Sequence, residues 1–367
     1  MLIRFAVENF RGFPERIEWD LSHPSNYEFN TYAVKNGIIK DGIIYGPNGS
    51  GKSNFGFAIF DIVNHLTLKN KKDDYYANYP YAGKMNEPIA FDYTFRFENN
   101  VVEYTYKKNR IGELLEEHLL VNGKEIFSLA EHSLQIDDSL PMDETIRRDF
   151  IENNNNRVSV VNYLLMSMPF PSSHYLMRLK AFVDAMLWFR HLDDRGYIGL
   201  QTGITNIEEF IIKNGYVEDF AHFVEEISGQ HFVFITPNLD DKQLFCLFND
   251  VSIPFMMIES TGTRTLKLLY YWYKNIQEAS FVFIDEFDAF YHFELSFRVC
   301  QRMFALDNCQ VFMTSHNTYL MTNDLLRPDC NFILDKNKIK PLCECTKKEL
   351  RFGHNIEKLF RGNTFKV

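Results

Sequence analysis

The chain has 367 residues and a formal net charge of −10, with 46% hydrophobic and 24% charged residues. That usage is ordinary for a globular protein large enough for a main domain plus an insertion, and it argues against a uniformly basic nucleic-acid surface while leaving room for a local one. No apolar stretch approaches the roughly 20 residues that cross a bilayer, and the N-terminus alternates instead of forming a signal-peptide core, so a cytoplasmic, membrane-free protein is expected.

In chain order, Ile3, Phe5 and Val7 alternate with Arg4 and Glu8, the period of a half-buried strand. Strands are predicted over residues 2–8 and 15–20. The apolar run Gly42-Ile43-Ile44-Tyr45 then leads into Gly46-Pro47-Asn48-Gly49-Ser50-Gly51-Lys52-Ser53, which reads GxxxxGKS. A helix is predicted from Lys52 to about Leu68. Strand before and helix after is the context of a phosphate-binding loop. Its glycines allow positive φ and close backbone approach, so N–H groups and the helix N-terminus face the phosphates. Lys52 would reach the β- and γ-phosphates of a nucleotide, and Ser53 would hold Mg2+.

A polar interruption at residues 75–88 precedes two alternating stretches, Ile89 to Phe97 and Val101 to Lys107, which fold about Glu98-Asn99-Asn100 as a hairpin. A third strand pair is predicted around Asn122-Gly123. Lys69, Lys71 and Lys72, and separately Lys107, Lys108 and Arg110, are the best basic clusters. From Pro141 to Ser228 the spacing turns helical, with a polar break at Asn153 to Asn156 and a Pro-bearing loop from Met166 to Ser173. Met177, Phe182, Met186 and Trp188 read as core. Sustained heptads are absent, which excludes a long coiled coil.

The last third restores strand signals. Ser280 to Ile284 is a buried strand ending in Asp285-Glu286, the pattern hhhhDE. Such a strand can deliver one carboxylate to Mg2+ and its neighbour to the attacking water. Gln310 to Asn317 is another buried strand, with His316 at its tip. Upstream, Ser260-Thr261-Gly262-Thr263-Arg264 precedes a helix predicted from Leu266 to Asn275. Its hydroxyls suit either a second phosphate contact or a plain N-cap. Cys246, Cys300, Cys309, Cys330, Cys343 and Cys345 are scattered, so reduced thiols are expected. A zinc site at the last three lacks the usual C-x-x-C knuckle and a fourth ligand.

The order of these motifs resembles ABC-type ATPases and, within them, the AAA-labelled branch related to the overcoming-lysogenization-defect and abortive-infection proteins. Glu8-Asn9-Phe10-Arg11-Gly12-Phe13 is similar to that branch's opening strand and turn, shared with SMC-like repair ATPases. The resemblance covers residues 1–70 and 250–367. It implies an α/β P-loop NTPase with an ABC/SMC-like head, divided as residues 1–140 (phosphate loop and antiparallel β subdomain), 141–228 (a mostly helical insertion) and 229–367 (the rest of the head). It implies that Ser260, Thr261, Gly262, Thr263 and Arg264 form the signature that closes on ATP held by the opposite subunit of a homodimer. Asp285 takes the magnesium place, Glu286 the catalytic-base place and His316 the switch-histidine place. Asn54 joins the nucleotide-binding set after the loop, and Arg11 falls where similar proteins approach the nucleotide.

There are departures. Thr261 stands where many ABC proteins have glycine, His292 replaces an aspartate of the SMC-like dimer-contact loop, and no glutamine can be placed to complete the magnesium shell. The tail from Glu349 to Phe360 resembles the family's tail without assignable chemistry. Only about 50 residues follow His316, too few for the acidic nuclease domain of related nucleases. The expected function is therefore an ATPase that controls a separate effector, a toxin or nuclease, in antiviral defence. An SMC-like DNA-binding repair ATPase is the alternative, and a P-loop kinase of small molecules is a weaker one.

Overall fold

The alternation at the N-terminus builds an antiparallel meander. Leu2–Glu8 pairs with Ile17–Asp20, Phe5 opposite Trp19, and on its other side with Ile89–Phe97. Asn100–Lys108, Leu114–Val121, Lys124–Ala130 and Ser133–Ile136 follow one another outward to complete seven strands. The hairpin at Asn122-Gly123 turns with φ of 53° and 77°, two left-handed residues whose turn matches the twist of the strands it joins.

This computed structural model describes every residue except 68–78, 132, 141, 143, 154–157, 191–196, 201–205, 236–237 and 239. Lys69, Lys71 and Lys72, most of the polar break at Asn153 to Asn156, and the start of the 75–88 interruption lie outside the described residues.

A second sheet runs in the order Tyr197–Gly199, Met186–Arg190, Phe281–Asp285, Gln310–Ser315, Asp41–Tyr45, Asn331–Asp335 and Lys338–Pro341. Its inner junctions are parallel and its two edge junctions antiparallel. Asp41–Tyr45, Phe281–Asp285 and Gln310–Ser315 are buried throughout, as parallel strands covered on both faces must be.

The helix Lys52–Ile59 lies between the sheets. Phe55 meets Phe5 and Trp19 of the first sheet, at 5.6 and 5.5 Å between ring centroids. Its other side approaches so closely that a Cβ on Gly56 would come within 2.6 Å of Phe283. Trp19 also reaches Phe312, at 4.5 Å, locking the two sheets into one core. The helix predicted to run unbroken is interrupted at Phe60 and resumes as Asp61–Leu66.

One further expectation needs correction. Residues 141–228 do carry the helices Glu144–Asn153, Val160–Ser167, Tyr175–Asp184, Ile207–Lys213 and Val217–Ser228. Met186–Arg190 and Tyr197–Gly199, however, are strands of the second sheet, so this segment is built into the head as well as onto it. Met186 and Trp188 are core, but on a strand; a continuous apolar run of this length reads alike as strand or helix. In the basic cluster at Lys107, Lys108 and Arg110, the two lysines lie on the strand Asn100–Lys108 and differ in environment. Lys107 pairs with Glu116 at 2.7 Å, while Lys108 is buried, its Nζ 2.8 Å from Asp61.

That buried pair belongs to a polar seam. Asp61 also accepts from the Tyr106 hydroxyl at 2.7 Å, and Glu117 accepts from Tyr104 at 2.7 Å and from the Val160 N–H at 2.7 Å. The seam thus joins the helix pair after the phosphate loop, the antiparallel sheet and the N-terminus of Val160–Ser167, satisfying orphan donors there. Among the described residues, no helix is long and apolar enough to cross a membrane.

Candidate functional site

The parallel strands Phe281–Asp285, Gln310–Ser315 and Asp41–Tyr45 bring their C-terminal ends to one edge, where open α/β sheets place their ligands. Gly46 to Gly51 forms the loop after Asp41–Tyr45, with Gly49 at φ 77° and Gly51 at φ 98° as the N-cap of Lys52–Ile59. A Cβ on Gly46 would lie 2.4 Å from the Leu334 carbonyl oxygen. Only glycine fits there. Lys52 turns back into the loop, its Nζ donating to the carbonyls of Gly46 at 2.8 Å and Pro47 at 3.2 Å. Burial lowers its pKa, opposed by Asp285 and Glu286.

Asp285 ends its strand fully buried. The Thr314 hydroxyl, on the neighbouring strand, donates to Asp285 Oδ1 at 2.8 Å, and its oxygen accepts the Glu286 N–H at 2.7 Å. One hydroxyl therefore positions both acidic residues. Glu286 itself is left-handed, with φ 51°, a costly conformation for a non-glycine residue that collects at functional sites. Burial raises the Asp285 pKa, partly offset by hydrogen bonds from Ser53 and Thr314. Ser315 donates to Asp288 Oδ2 at 2.6 Å, so the strand tip holds a third carboxylate, also raised by burial.

His316 lies beside the loop with Nδ1 3.5 Å from Lys52 Nζ. Its pKa is lowered, first by burial and then by that lysine. Arg11, in a left-handed turn at φ 47°, donates to Asn54 Oδ1 at 3.3 Å and stacks on Phe57, 4.7 Å from the ring centre. It reaches the phosphate-loop helix through Asn54. Arg190 escaped the sequence reading altogether. It ends Met186–Arg190 in register with Asp285; its Nη2 donates to Glu286 Oε2 at 3.1 Å, and its Nε lies 3.7 Å from Asp285 Oδ2. Nothing in the local spacing marked it, because the sheet register supplies the contact.

Ser260 caps the helix Thr261–Asn275, its hydroxyl oxygen accepting the Thr263 N–H at 3.1 Å. The helix starts earlier than predicted. Thr263 is tied further to Gln230 Oε1 at 2.8 Å, whereas Thr261 and Arg264 are exposed. Among the described residues, no hydrogen bond or ion pair joins Ser260 to Arg264 with Gly46 to Asn54 of the same chain. His292 is the N-cap residue of Phe293–Phe304 and makes no side-chain capping bond. The tail is clamped by Asn323, whose amide donates to the carbonyls of Arg351, Phe352 and His354. All six cysteines are free thiols.

The residues fit magnesium. Ser53 and Asp285 bring a hydroxyl and a carboxylate together, and Asp285 Oδ2 is buried with no hydrogen-bond partner. Oxygen donors on a buried carboxylate suit a hard dication. Lys52, Ser53, Asp285 and Glu286 can thus bind a phosphate chain, balance its charge and orient a nucleophile.

A family model described as "AAA domain, putative AbiEii toxin, Type IV TA system" matches residues 128–322, just over half of the chain. That span includes the acidic strand, His316 and the Ser260 helix, and begins after the phosphate loop. No curated protein matches the chain. Among solved structures, an SMC head bound to the C-terminal winged-helix domain of ScpA is 15% identical with a TM-score of 0.47, covering 93% of this chain and 97% of that one. The SMC head domain from Thermotoga maritima is also 15% identical, with a TM-score of 0.40 and coverage of 93% and 98%. An Smc head with an extended coiled coil, bound to the C-terminal domain of ScpA from Pyrococcus furiosus, is 13% identical, with a TM-score of 0.44 and coverage of 92% and 95%.

Proposed function

The chain belongs to this family of AAA-domain proteins, and from that premise we propose that it binds and hydrolyses ATP, closing as a homodimer around the nucleotide to control a separate effector in a cytoplasmic defence system. The observation that carries the ATPase reading is the convergence of Lys52, Ser53, Asp285, Glu286 and His316 on one sheet edge. Lys52 exchanges its loop carbonyls for the β- and γ-phosphates. Magnesium, when held by Ser53 and Asp285, neutralises charge that develops on the phosphates. Glu286, its backbone pinned by Thr314, orients and deprotonates the attacking water. His316 reads the presence of the γ-phosphate.

The exposed Thr261 and Arg264, next to the Ser260 cap, support a signature that meets the nucleotide of a second copy. The helix behind it offers a route outward. Lys267 bonds Glu208 at 2.6 Å, and Tyr270 packs on Phe220 and Phe223, each at 5.1 Å. A shift of Thr261–Asn275 would therefore move Ile207–Lys213 and Val217–Ser228, where we place the effector contact. The toxin–antitoxin association in the family description favours such an effector. The test is Glu286→Gln, expected to bind ATP, to hydrolyse it about 10²- to 10⁴-fold more slowly, and to accumulate as a closed dimer in size-exclusion light scattering. Turnover at the wild-type rate refutes the assignment.

A further inference from the structure

We propose that Arg190 sets the divalent-cation affinity of the site by competing with the cation for the Asp285 and Glu286 carboxylates. Three observations carry this. Arg190 reaches both acidic residues at once, 3.1 Å from Glu286 Oε2 and 3.7 Å from Asp285 Oδ2. The Asp285 oxygen it approaches is the buried one with no hydrogen-bond partner, the same atom that suits a metal. Backbone pairing also favours the contact, because the parallel ladder puts Arg190 opposite Asp285 and so starts its side chain from beside the carboxylate.

A fixed positive charge acts on a dication in two ways. It lowers the negative potential that attracts the cation, and it engages the oxygen that the cation would take. Arginine does both without titrating, since its guanidinium keeps its proton throughout the working pH range. Unit charges at about 4 Å and partial burial interact strongly enough that removing one is worth at least about tenfold in binding. Arg190 thus holds the acidic pair in place while making the site demanding of cation concentration. Loss of the arginine is a gain in metal affinity, the opposite of what loss of an ordinary binding residue does.

The inference rests on reading Asp285 as the metal-holding carboxylate, and the experiment separates the two. Magnesium is titrated into the full chain at a fixed concentration of fluorescent ADP, with binding followed by anisotropy, and Mn2+ binding without nucleotide is followed by electron paramagnetic resonance. Arg190→Gln is expected to lower the half-saturating cation concentration about tenfold in both, and Arg190→Lys to stay within about twofold of wild type. Arg178→Gln, which removes an arginine paired with Glu98, is expected to change nothing. The Arg190 side chain is 36% exposed, so its replacement is compatible with folding; Arg190→Met serves as a second charge-removing variant. An unchanged or raised half-saturation in Arg190→Gln and Arg190→Met, with a wild type that responds and an Asp285→Asn variant that does not, overturns the role of Arg190 alone. A wild type without cation-dependent nucleotide binding overturns the ATPase reading as well.

Discussion

Replacing Thr314 by valine keeps the shape of the side chain and removes the one hydroxyl shared by Asp285 and Glu286. Thr314 is fully buried, so water cannot take over either bond. The lost hydrogen bond to a charged carboxylate is worth about 1.5–3 kcal/mol, and the stranded Glu286 N–H adds about 1–3 kcal/mol. Because some of this relaxes, the expected loss of stability is about 3 kcal/mol, which lowers the melting temperature by several degrees. Thr314→Ser retains the hydroxyl and gives up one methyl, costing about 1 kcal/mol. Turnover separates the variants further. With its left-handed backbone at φ 51° released, Glu286 in Thr314→Val loses its aim, so hydrolysis falls while nucleotide affinity holds within a few-fold. Thermal melting of the three proteins and steady-state phosphate release check both halves. If Thr314→Val melts with Thr314→Ser and hydrolyses at the wild-type rate, the shared hydroxyl does not position the site.

Two predictions concern the polar seam. Burial pushes the Glu117 carboxyl up to about 7 from 4.5, so the folded state holds a proton that the unfolded state releases. The stabilisation is complete below about pH 4.5 and lost as pH rises through 7, with a ceiling of about 3 kcal/mol; melting temperature should fall from pH 5 to 8 more steeply in wild type than in Glu117→Gln. Lys108→Met leaves Asp61 buried beside a single hydroxyl donor and should cost about 3–5 kcal/mol, whereas Lys108→Met with Asp61→Leu should recover most of it. Urea unfolding of the single and double variants decides that case.

The phosphate loop and the Asp285-Glu286 strand were legible because each is one contiguous segment whose residue types follow from its own chemistry. Asn122-Gly123 was legible for the same reason, since two left-handed residues in a row name a hairpin. Met186–Arg190 was not. Its five residues are apolar without alternation until the arginine, and helical spacing on both sides absorbed them. Arg190 was invisible for a deeper reason: its partners lie 96 residues away across Glu286, brought near by strand register. Glu117 and Val160 likewise meet only when the sheet and helix are packed, so neither segment announces the other. Lys107 and Lys108 looked alike in sequence, and only the pleat, one facing Glu116 and the other Asp61, tells a surface ion pair from a buried one.

The second sheet is assembled from distant stretches of chain. Asp41–Tyr45 finds its neighbours in Gln310–Ser315 and Asn331–Asp335, and Gln310 reaches back to bond Leu2, 308 residues away. During synthesis, the phosphate-loop strand therefore leaves the ribosome long before either partner exists. Such non-local pairing is slow to form and exposes apolar edges meanwhile. At roughly 5–20 residues per second, the strand spends on the order of tens of seconds without its sheet. The antiparallel meander closes locally and early, so it is the part able to shelter Phe55 and Trp19 through that interval. Nucleotide competence then arrives all at once, when Gln310–Ser315 and Asn331–Asp335 have both emerged to flank the phosphate-loop strand.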